Sequence, residues 1–193
     1  MIEAIINGLN YRLNEETLTA EVTAMRNGYE GYIIIPGTVV LKEVAYRVKS
    51  IGDAAFYKCS SLTSIVIPDS VKSIRDHAFG YCSSLTSIVI PDSVKSIGDE
   101  TFSGCSSLTS IVIPDSVTSI GNFAFNGCFS LTSIVIGNGV KSIGKEAFKG
   151  CSSLTNITFQ GTMAQWNRIK LGSAWKYKVP TKVVHCTDGV VEI

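Results

Sequence analysis

Six cysteines, two histidines and the acidic side chains are the residues of this 193-residue chain that could hold a metal, attack a substrate or move a proton. Five of the cysteines, Cys59, Cys82, Cys105, Cys128 and Cys151, fall at intervals of 23 residues. Metal sites take cysteines about two to four residues apart, so this spacing is wrong for a zinc or iron–sulfur centre. Stacked on successive turns of a coil, the five would lie about 4.8 Å apart, inside the Cα range of a disulfide. Their Cβ directions would be parallel, however, and a bridge needs converging ones. They therefore read as a ladder of small buried hydrophobes, with Cys186 left free. Asp69, Asp92 and Asp115 keep the same interval and would stack into a carboxylate row. Such a row could take Ca2+, a hard cation that wants clustered oxygens; the favoured reading is that each aspartate caps its own turn. His185 precedes Cys186 on an expected strand, where neighbours face opposite sides, so the two cannot form a dyad. His77 stands alone in a turn. No Gly-x-Ser-x-Gly elbow, phosphate loop or dinucleotide fingerprint occurs. The reading is a chain with no catalytic residues, no metal ligands and no cofactor, and not an enzyme.

The interval itself is the dominant feature. Cys-Ser-Ser-Leu-Thr-Ser-Ile-Val-Ile-Pro-Asp-Ser-Val occurs at Cys59–Val71, Cys82–Val94 and Cys105–Val117, with a looser copy at Cys128–Val140 and a fifth that dissolves after Phe159. Phe56, Phe79, Phe102, Phe125 and Phe148 keep the same beat, as do Leu62, Leu85, Leu108, Leu131 and Leu154. A fixed period of this size is a solenoid, each repeat one turn that cannot bury its apolar face alone. Within a repeat, Leu62, Ile65 and Ile67 point inward from a short strand, and Thr63, Ser64 and Val66 point out. Pro68 ends the strand because it has no N–H for the ladder. Asp69 and Ser70 turn the chain, Val71 and Ile74 point inward on the return side, and Gly52, Gly98, Gly121 and Gly144 suit a tight bend. Ala55, Phe56 and Cys59 close the coil.

The ends depart from the beat. In residues 1–31, Tyr11–Leu13 and Thr17–Thr23 alternate around Asn14-Glu15-Glu16 and predict a hairpin that caps the first coil. Ile33-Ile34-Ile35-Pro36 matches Ile65-Val66-Ile67-Pro68 at a separation of 32, so nine extra residues, placed in Val39–Val48 around a Lys42-Glu43 turn, form an inserted hairpin. After Phe159, Thr162–Lys170 predicts a short helix ending near Gly172. Thr187-Asp188-Gly189 predicts a hairpin between Val183–Cys186 and Val190–Ile193. Trp166 and Trp175 are expected to lie over the last repeat. The chain thus reads as one domain, 1–193: an N-terminal β cap (1–31), repeats (32–159) and a C-terminal cap (160–193).

Net charge is +1, so no global field steers the protein to nucleic acid or membrane. Residues 1–116 carry 9 basic and 13 acidic side chains, and residues 117–193 carry 8 and 3, a dipole along the axis of the coil. No apolar run is long enough to insert in a bilayer, and the N-terminus has no signal-peptide pattern.

The phrase Leu-Thr-Ser-Ile-Val-Ile-Pro-Asp-Ser-Val-x-Ser-Ile-Gly-x-x-Ala-Phe-x-x-Cys, running through residues 33–159, closely resembles the BspA-like (Treponema-type) leucine-rich repeats of bacterial surface proteins. Gly161–Trp166 with Val184–Gly189 resembles the terminal module of such proteins. Pro68, Pro91 and Pro114 depart from the commoner leucine-rich repeat, which has an Asn after its strand. The resemblance implies a leucine-rich-repeat solenoid, right-handed and mostly β. It also implies a cell-surface or secreted place and a non-enzymatic adhesion or protein-binding role, with host matrix or plasma proteins as the kind of partner. Two surfaces could serve. The sheet face presents Ser64, Ser87, Ser110 and Ser133 beside Thr63, Val66 and their equivalents, whose bland alternative is a hydroxyl ladder that only solvates the sheet. The turn edge carries the variation between repeats, including Tyr57, Lys58, His77, Tyr81, Phe123, Phe129, Lys145 and Lys149. Tyr57, Tyr81, Phe123 and Phe129 could form an exposed aromatic strip of the kind interfaces use. Alternatives are a spacer without a ligand, and a polyanion or glycan binder using the basic C-terminal end (Lys141, Lys145, Lys149, Lys170, Lys176, Lys178 and Lys182).

Overall fold

The computed structural model describes all residues, 1–193. The chain opens with strands β1 (Ile2–Ile6), β2 (Leu9–Asn14) and β3 (Thr19–Thr23), an antiparallel meander in place of the expected two-stranded hairpin. The extra strand β1 is joined to β2 by Asn7 and Gly8, both at positive φ (50° and 79°). That is the backbone of a tight hairpin turn, and Asn-Gly between alternating residues is its sequence signal. Leu9, Tyr11, Leu13, Ala20 and Val22 face the core of this cap.

The coil then begins with β4 (Gly31–Ile34). The inserted hairpin follows as β5 (Thr38–Leu41) and β6 (Val44–Ile51), turned by Lys42 and Glu43 at positive φ, as their turn position predicts. Strand β3 pairs in parallel with β6, so the cap is hydrogen-bonded directly to the first turn. Each later turn contributes a strand on one side and a two-residue strand on the return side. These are β7 (Leu62–Val66) and β8 (Ser73–Ile74), β9 (Ser87–Ile88) and β10 (Ser96–Ile97), β11 (Ser110–Ile113) and β12 (Ser119–Ile120), β13 (Ser133–Ile136) and β14 (Ser142–Ile143), and then β15 (Asn156–Phe159). All pairings between these turns are parallel and in register, Ser over Ser and Ile over Ile up to β14, with Asn156 over Ser133 and Phe159 over Ile136 in β15. The return side forms one continuous sheet from β6 through β14. The strand side forms two sheets, β4-β7-β9 and one that starts at β11.

One core of 53 residues runs the length of the molecule. Its spine is the phenylalanine ladder: Phe56, Phe79, Phe102, Phe125 and Phe148 are fully buried, with successive ring centroids 5.1 to 5.4 Å apart and near parallel. Tyr29 closes the ladder at one end and Trp175 at the other. The five periodic cysteines are buried, unbridged thiols beside it. Cys82 donates to the Phe56 carbonyl at 3.0 Å, and Cys105, Cys128 and Cys151 repeat the bond to Phe79, Phe102 and Phe125 at 3.1 Å. Burial pushes the thiols of Cys59, Cys82, Cys105 and Cys128 up, Cys105 to about 12. The thiolate is the reactive form, so these four, raised and shut off from solvent, are expected to resist a thiol reagent in the folded protein; the Cys186 thiol is also raised, by burial and by the Asp188 charge, but it is only half-buried and labels first. Counting labelled thiols before and after adding denaturant checks this. Because the raised values disfavour ionisation only in the folded state, the stability they carry is intact below the ordinary thiol value of 9.0 and is lost as pH climbs from there toward about 12. Denaturation midpoints measured across that range should fall.

The bend glycines turn out to serve a different purpose from the one expected. None of Gly52, Gly98, Gly121 and Gly144 has positive φ. A Cβ on Gly121 would lie 2.5 Å from the Gly98 carbonyl carbon and oxygen, and one on Gly144 would lie 2.5 Å from the Gly121 carbonyl carbon. Glycine is needed there because successive backbones touch. The left-handed residues come later in each turn: Ala54, His77, Glu100, Phe123 and Glu146, then Lys58, Tyr81, Gly104, Gly127 and Gly150.

At the C-terminal end the expected helix shrinks to one turn, α1 (Met163–Trp166), with a capping box between Thr162 and Gln165. Its expected second half instead becomes β16 (Lys170–Leu171), which pairs with β14 and extends the return sheet. Glu146 and Phe148 donate to the carbonyls of Ser173 and Trp175, so residues 170–179 complete a further return side although their side chains no longer keep the beat. Strands β17 (Val183–Cys186) and β18 (Gly189–Glu192) form the expected hairpin, and β17 pairs with β15. Trp166 packs on Phe159 at 5.4 Å and on Trp175 at 6.0 Å, the lid the sequence predicts. No helix is long and apolar enough to cross a membrane.

Candidate functional site

The sheet face is built from alternation. Inward Leu62, Ile65 and Ile67 and their equivalents hold each strand down, which forces the residues between them outward. The threonines of this face do not simply solvate it. Thr86 Oγ1 donates to the Thr63 carbonyl at 3.5 Å, Thr109 to Thr86 at 3.5 Å, Thr132 to Thr109 at 3.0 Å and Thr155 to Thr132 at 3.5 Å, stitching each turn to the one before. Ser64, Ser87, Ser110 and Ser133 stand beside them in a second row, and their hydroxyls have no partner within the protein. A third row is apolar. Ile34 lies beside Val66 and Val112 beside Val135 in register, and Ile34, Val66, Val89 and Val112 are 59, 43, 78 and 55% exposed. Tyr32, 60% exposed, begins the serine row. The face is therefore a stripe of free hydroxyls next to a stripe of exposed aliphatic side chains, with no charged side chain in either. Its charges lie at the strand ends, at Asp69, Asp92 and Asp115.

Those three aspartates do not cap their own turns. Asp115 accepts from the backbone N–H of Asn138 in the next turn at 2.8 Å, and the carboxylates of Asp69 and Asp92 have no hydrogen-bond partner. The neighbouring serines reach back to the preceding turn instead, Ser70 donating to the Gly37 carbonyl at 3.4 Å and Ser116 to the Val94 carbonyl at 2.7 Å. No three His, Cys, Asp or Glu side chains are gathered where they could share a metal ion. A second ladder, which sequence reasoning misses, runs along the opposite corner. Asp76 accepts from the Asp99 N–H, Asp99 from the N–H and side-chain amide of Asn122, and Asn122 from the Lys145 N–H, at 2.7 to 3.0 Å. Asp, Asp and Asn at one repeat position, each just after the close-contact residue, are its signal.

On the turn edge the candidate residues separate into two groups. Tyr57 meets Tyr81 edge to face at 5.6 Å and His77 at 6.1 Å, with Lys58 Nζ 5.3 Å from the Tyr57 ring. His77 Nδ1 faces the Glu100 carboxylate at 3.5 Å. Phe123 is half-buried beneath Lys145, whose Nζ is 5.6 Å from the ring, and exposed Phe129 lies against Gly127 and Gly150. No ring contact joins Tyr81 to Phe123 or Phe129, so the four do not make a continuous strip. Lys149 pairs with Glu146 at 2.6 Å and Lys145 reaches the same carboxylate at 3.9 Å, so the two lysines share one counter-charge. Lys176 and Lys182 remain close together in the cap, where burial and the Lys182 charge hold the Lys176 ammonium below its ordinary value.

This architecture, a parallel β coil of 23-residue turns with a phenylalanine spine, is that of a leucine-rich-repeat protein. Residues 47–170 match the BspA type leucine rich repeat region in six copies, and the chain belongs to that family. Among solved structures it is similar to a T. pallidum leucine rich repeat protein (29% identity, TM-score 0.70, covering 96% of this chain and 86% of that one). It is also similar to a leucine rich cell surface protein from Faecalibacterium prausnitzii (26% identity, TM-score 0.69, covering 97% of this chain and 55% of that one). A leucine-rich repeat protein from Bacteroides ovatus is 32% identical, with a TM-score of 0.56, over 93% of this chain and 57% of that one. The chain thus spans little more than half of two of these proteins. No curated protein sequence matches it.

Proposed function

We propose that the chain is a non-enzymatic protein-binding module of a bacterial surface or secreted protein, and that it binds through the sheet face. The observation that carries this is the aliphatic stripe Ile34–Val66–Val89–Val112 beside four unengaged serine hydroxyls. An apolar row of this length on a face without charge is expensive to leave in water and suits a desolvated interface core, with the hydroxyls supplying its hydrogen bonds. Similarity to a cell surface protein of F. prausnitzii supports the surface assignment. The Tyr57/Tyr81 pair is the second contact zone, since exposed tyrosines are what interface hot spots use.

The test is surface-plasmon binding of the purified chain to immobilised matrix and plasma proteins and to heparin, at low and high salt. Saturable binding to a protein that survives high salt is expected. Val89→Lys with Val112→Lys should weaken it by tenfold or more, roughly the effect of a charge in an interface core. Tyr81→Ala weakening it more than the valine pair would move the site to the turn edge. Binding to heparin alone, lost near ~0.15 M salt, would make the lysines of the cap the site instead. No binding on any surface would leave a spacer as the better account.

A further inference from the structure

On the turn edge two exposed aromatic rings frame a stretch of bare backbone. We propose that this stretch takes a proline-rich segment of a partner protein in the polyproline II conformation, one proline on Tyr81 and the proline one turn later on Phe129. The proposal rests on the protein-binding reading above and gives its second contact zone a kind of ligand.

The stretch is a column of left-handed residues. Lys58, Tyr81, Gly104, Gly127 and Gly150 hold the same place in five successive turns, and all have φ between 59° and 74°. Glycine adopts this backbone freely, whereas a residue with a Cβ is strained in it. Tyr81 therefore accepts a strain that the next three turns avoid. Strain of this kind gathers at sites of function. Here it fixes a ring: Tyr81 is laid over Gly104, whose Cβ, if it had one, would come within 2.7 Å of it, and it meets Tyr57 at an interplanar angle of 85°. Tyr57 is seated the same way on Gly80, where a Cβ would lie 3.0 Å from the ring. Tyr81 is still 47% exposed.

Phe129 is the counterpart at the other end. Its place is taken by Ser60, Ser83, Ser106 and Ser152 in other turns. Its ring is 57% exposed and rests against Gly127 and Gly150. Tyr81 and Phe129 belong to turns two apart, about 9.6 Å along the axis at one strand spacing per turn. A polyproline II helix completes its three-residue turn in about 9.3 Å. Prolines at i and i+3 thus leave one side of the helix at the separation of the two rings. Between the rings, Gly104 and Gly127 raise no side chain, and a Cβ on Gly127 would meet nothing closer than 3.8 Å.

Hydrogen bonding selects the same ligand. The N–H groups of Gly104 and Gly127 are already given to the carbonyls of Asn126 and Lys149, at 2.7 and 2.9 Å, so an incoming strand finds no donor in them. The free donors are side chains: the hydroxyls of Tyr57 and Tyr81 and the amide of Asn126 have no partner within the protein. A polyproline II segment makes no internal hydrogen bonds and its prolines carry no N–H, so it presents acceptors alone. Aromatic surface for the proline rings and rim donors for the carbonyls is the way such segments are bound.

A fluorescently labelled nonaproline peptide tests this by anisotropy against the full chain, beside a Gly/Ser peptide of equal length. Saturable binding of the proline peptide alone is expected. Tyr81→Gly and Phe129→Ser should each weaken it by about tenfold or more. Both should keep the folded circular-dichroism signal, because glycine and serine are what equivalent turns hold at those places. Gly127→Asn should weaken it too, since asparagine tolerates the left-handed backbone and puts a side chain between the rings. The proposal is overturned by no saturable binding, by equal binding of the Gly/Ser peptide, or by undiminished binding in either the Tyr81 or the Phe129 variant. A protein partner bound equally well by Tyr81→Gly and Phe129→Ser would sink this site and leave the sheet-face reading standing. Nonaproline binding with no protein partner on any surface would do the reverse.

Discussion

Phe102→Ala is expected to lower the stability of the chain by about 3–5 kcal/mol and to divide its unfolding into two steps. Phe102 is fully buried and is the middle ring of the ladder, stacked on Phe79 at 5.4 Å and on Phe125 at 5.3 Å. Its removal opens a cavity bounded by the backbones of adjoining turns, which are fixed by in-register ladders and cannot collapse inward. Two aromatic contacts are lost as well, each worth about 0.5–1.5 kcal/mol beyond area alone. In a solenoid each turn touches only its neighbours, so stability is close to a sum of turn and interface terms. Weakening both interfaces of the central turn uncouples the halves, one anchored by the cap meander and the other by Trp166 and Trp175. Urea unfolding followed separately by tryptophan fluorescence, which reports only the C-terminal half, and by far-ultraviolet circular dichroism should give different midpoints. The wild-type curves should coincide. A variant with one coincident transition shifted by less than about 1 kcal/mol would show that the ladder is not the spine.

Gly121→Ala is expected to destabilise by about 1–3 kcal/mol, the usual cost of forcing an extra methyl into a packed site. The sign is the informative part. Gly121 has no positive φ, and at such a position alanine ordinarily stabilises by about 0.4–1 kcal/mol because it restricts the unfolded chain. Here the new Cβ meets the Gly98 carbonyl and the Asp99 nitrogen at 2.5 to 2.6 Å. Those are backbone atoms that cannot rotate aside, and moving them would disturb the β10–β12–β14 ladder. A rise in the thermal midpoint of Gly121→Ala would mean that the turns slide apart at this corner instead of being locked by backbone contact.

Much of the coil is legible because its causes are local and repeated. The alternation Ser64-Ile65-Val66-Ile67 sets which side chains enter the core, Pro68 ends the strand, and the common beat of phenylalanine, leucine and cysteine requires turns stacked in register. The hairpin at Thr187–Gly189 is readable from its turn residues alone. Strand β1 is equally readable, through Asn7-Gly8, but lies outside the repeat, where a search guided by the period does not find it. The segment Thr162–Lys170 misleads in a different way: its cap residues do start a helix, yet the return sheet ends in β14, an open edge, and Lys170-Leu171 satisfies it.

The candidate surface divides along the same line. That Ser64, Val66 and their equivalents face outward follows from alternation within one strand. Which threonine hydroxyls are used up between turns, that Asp115 reaches the next turn, and that Tyr57 and Tyr81 touch while Phe123 and Phe129 stand apart all depend on how one turn sits on another. The sequence by itself determined a stacked 23-residue coil, its core and its outward faces, because period and alternation are properties of a single turn. Only the tertiary structure decided where glycine is needed for close approach rather than for a bend, and where the strand-side pairing breaks between β9 and β11. Those are distances between backbones in neighbouring turns, and near-identical repeats conceal where such distances change.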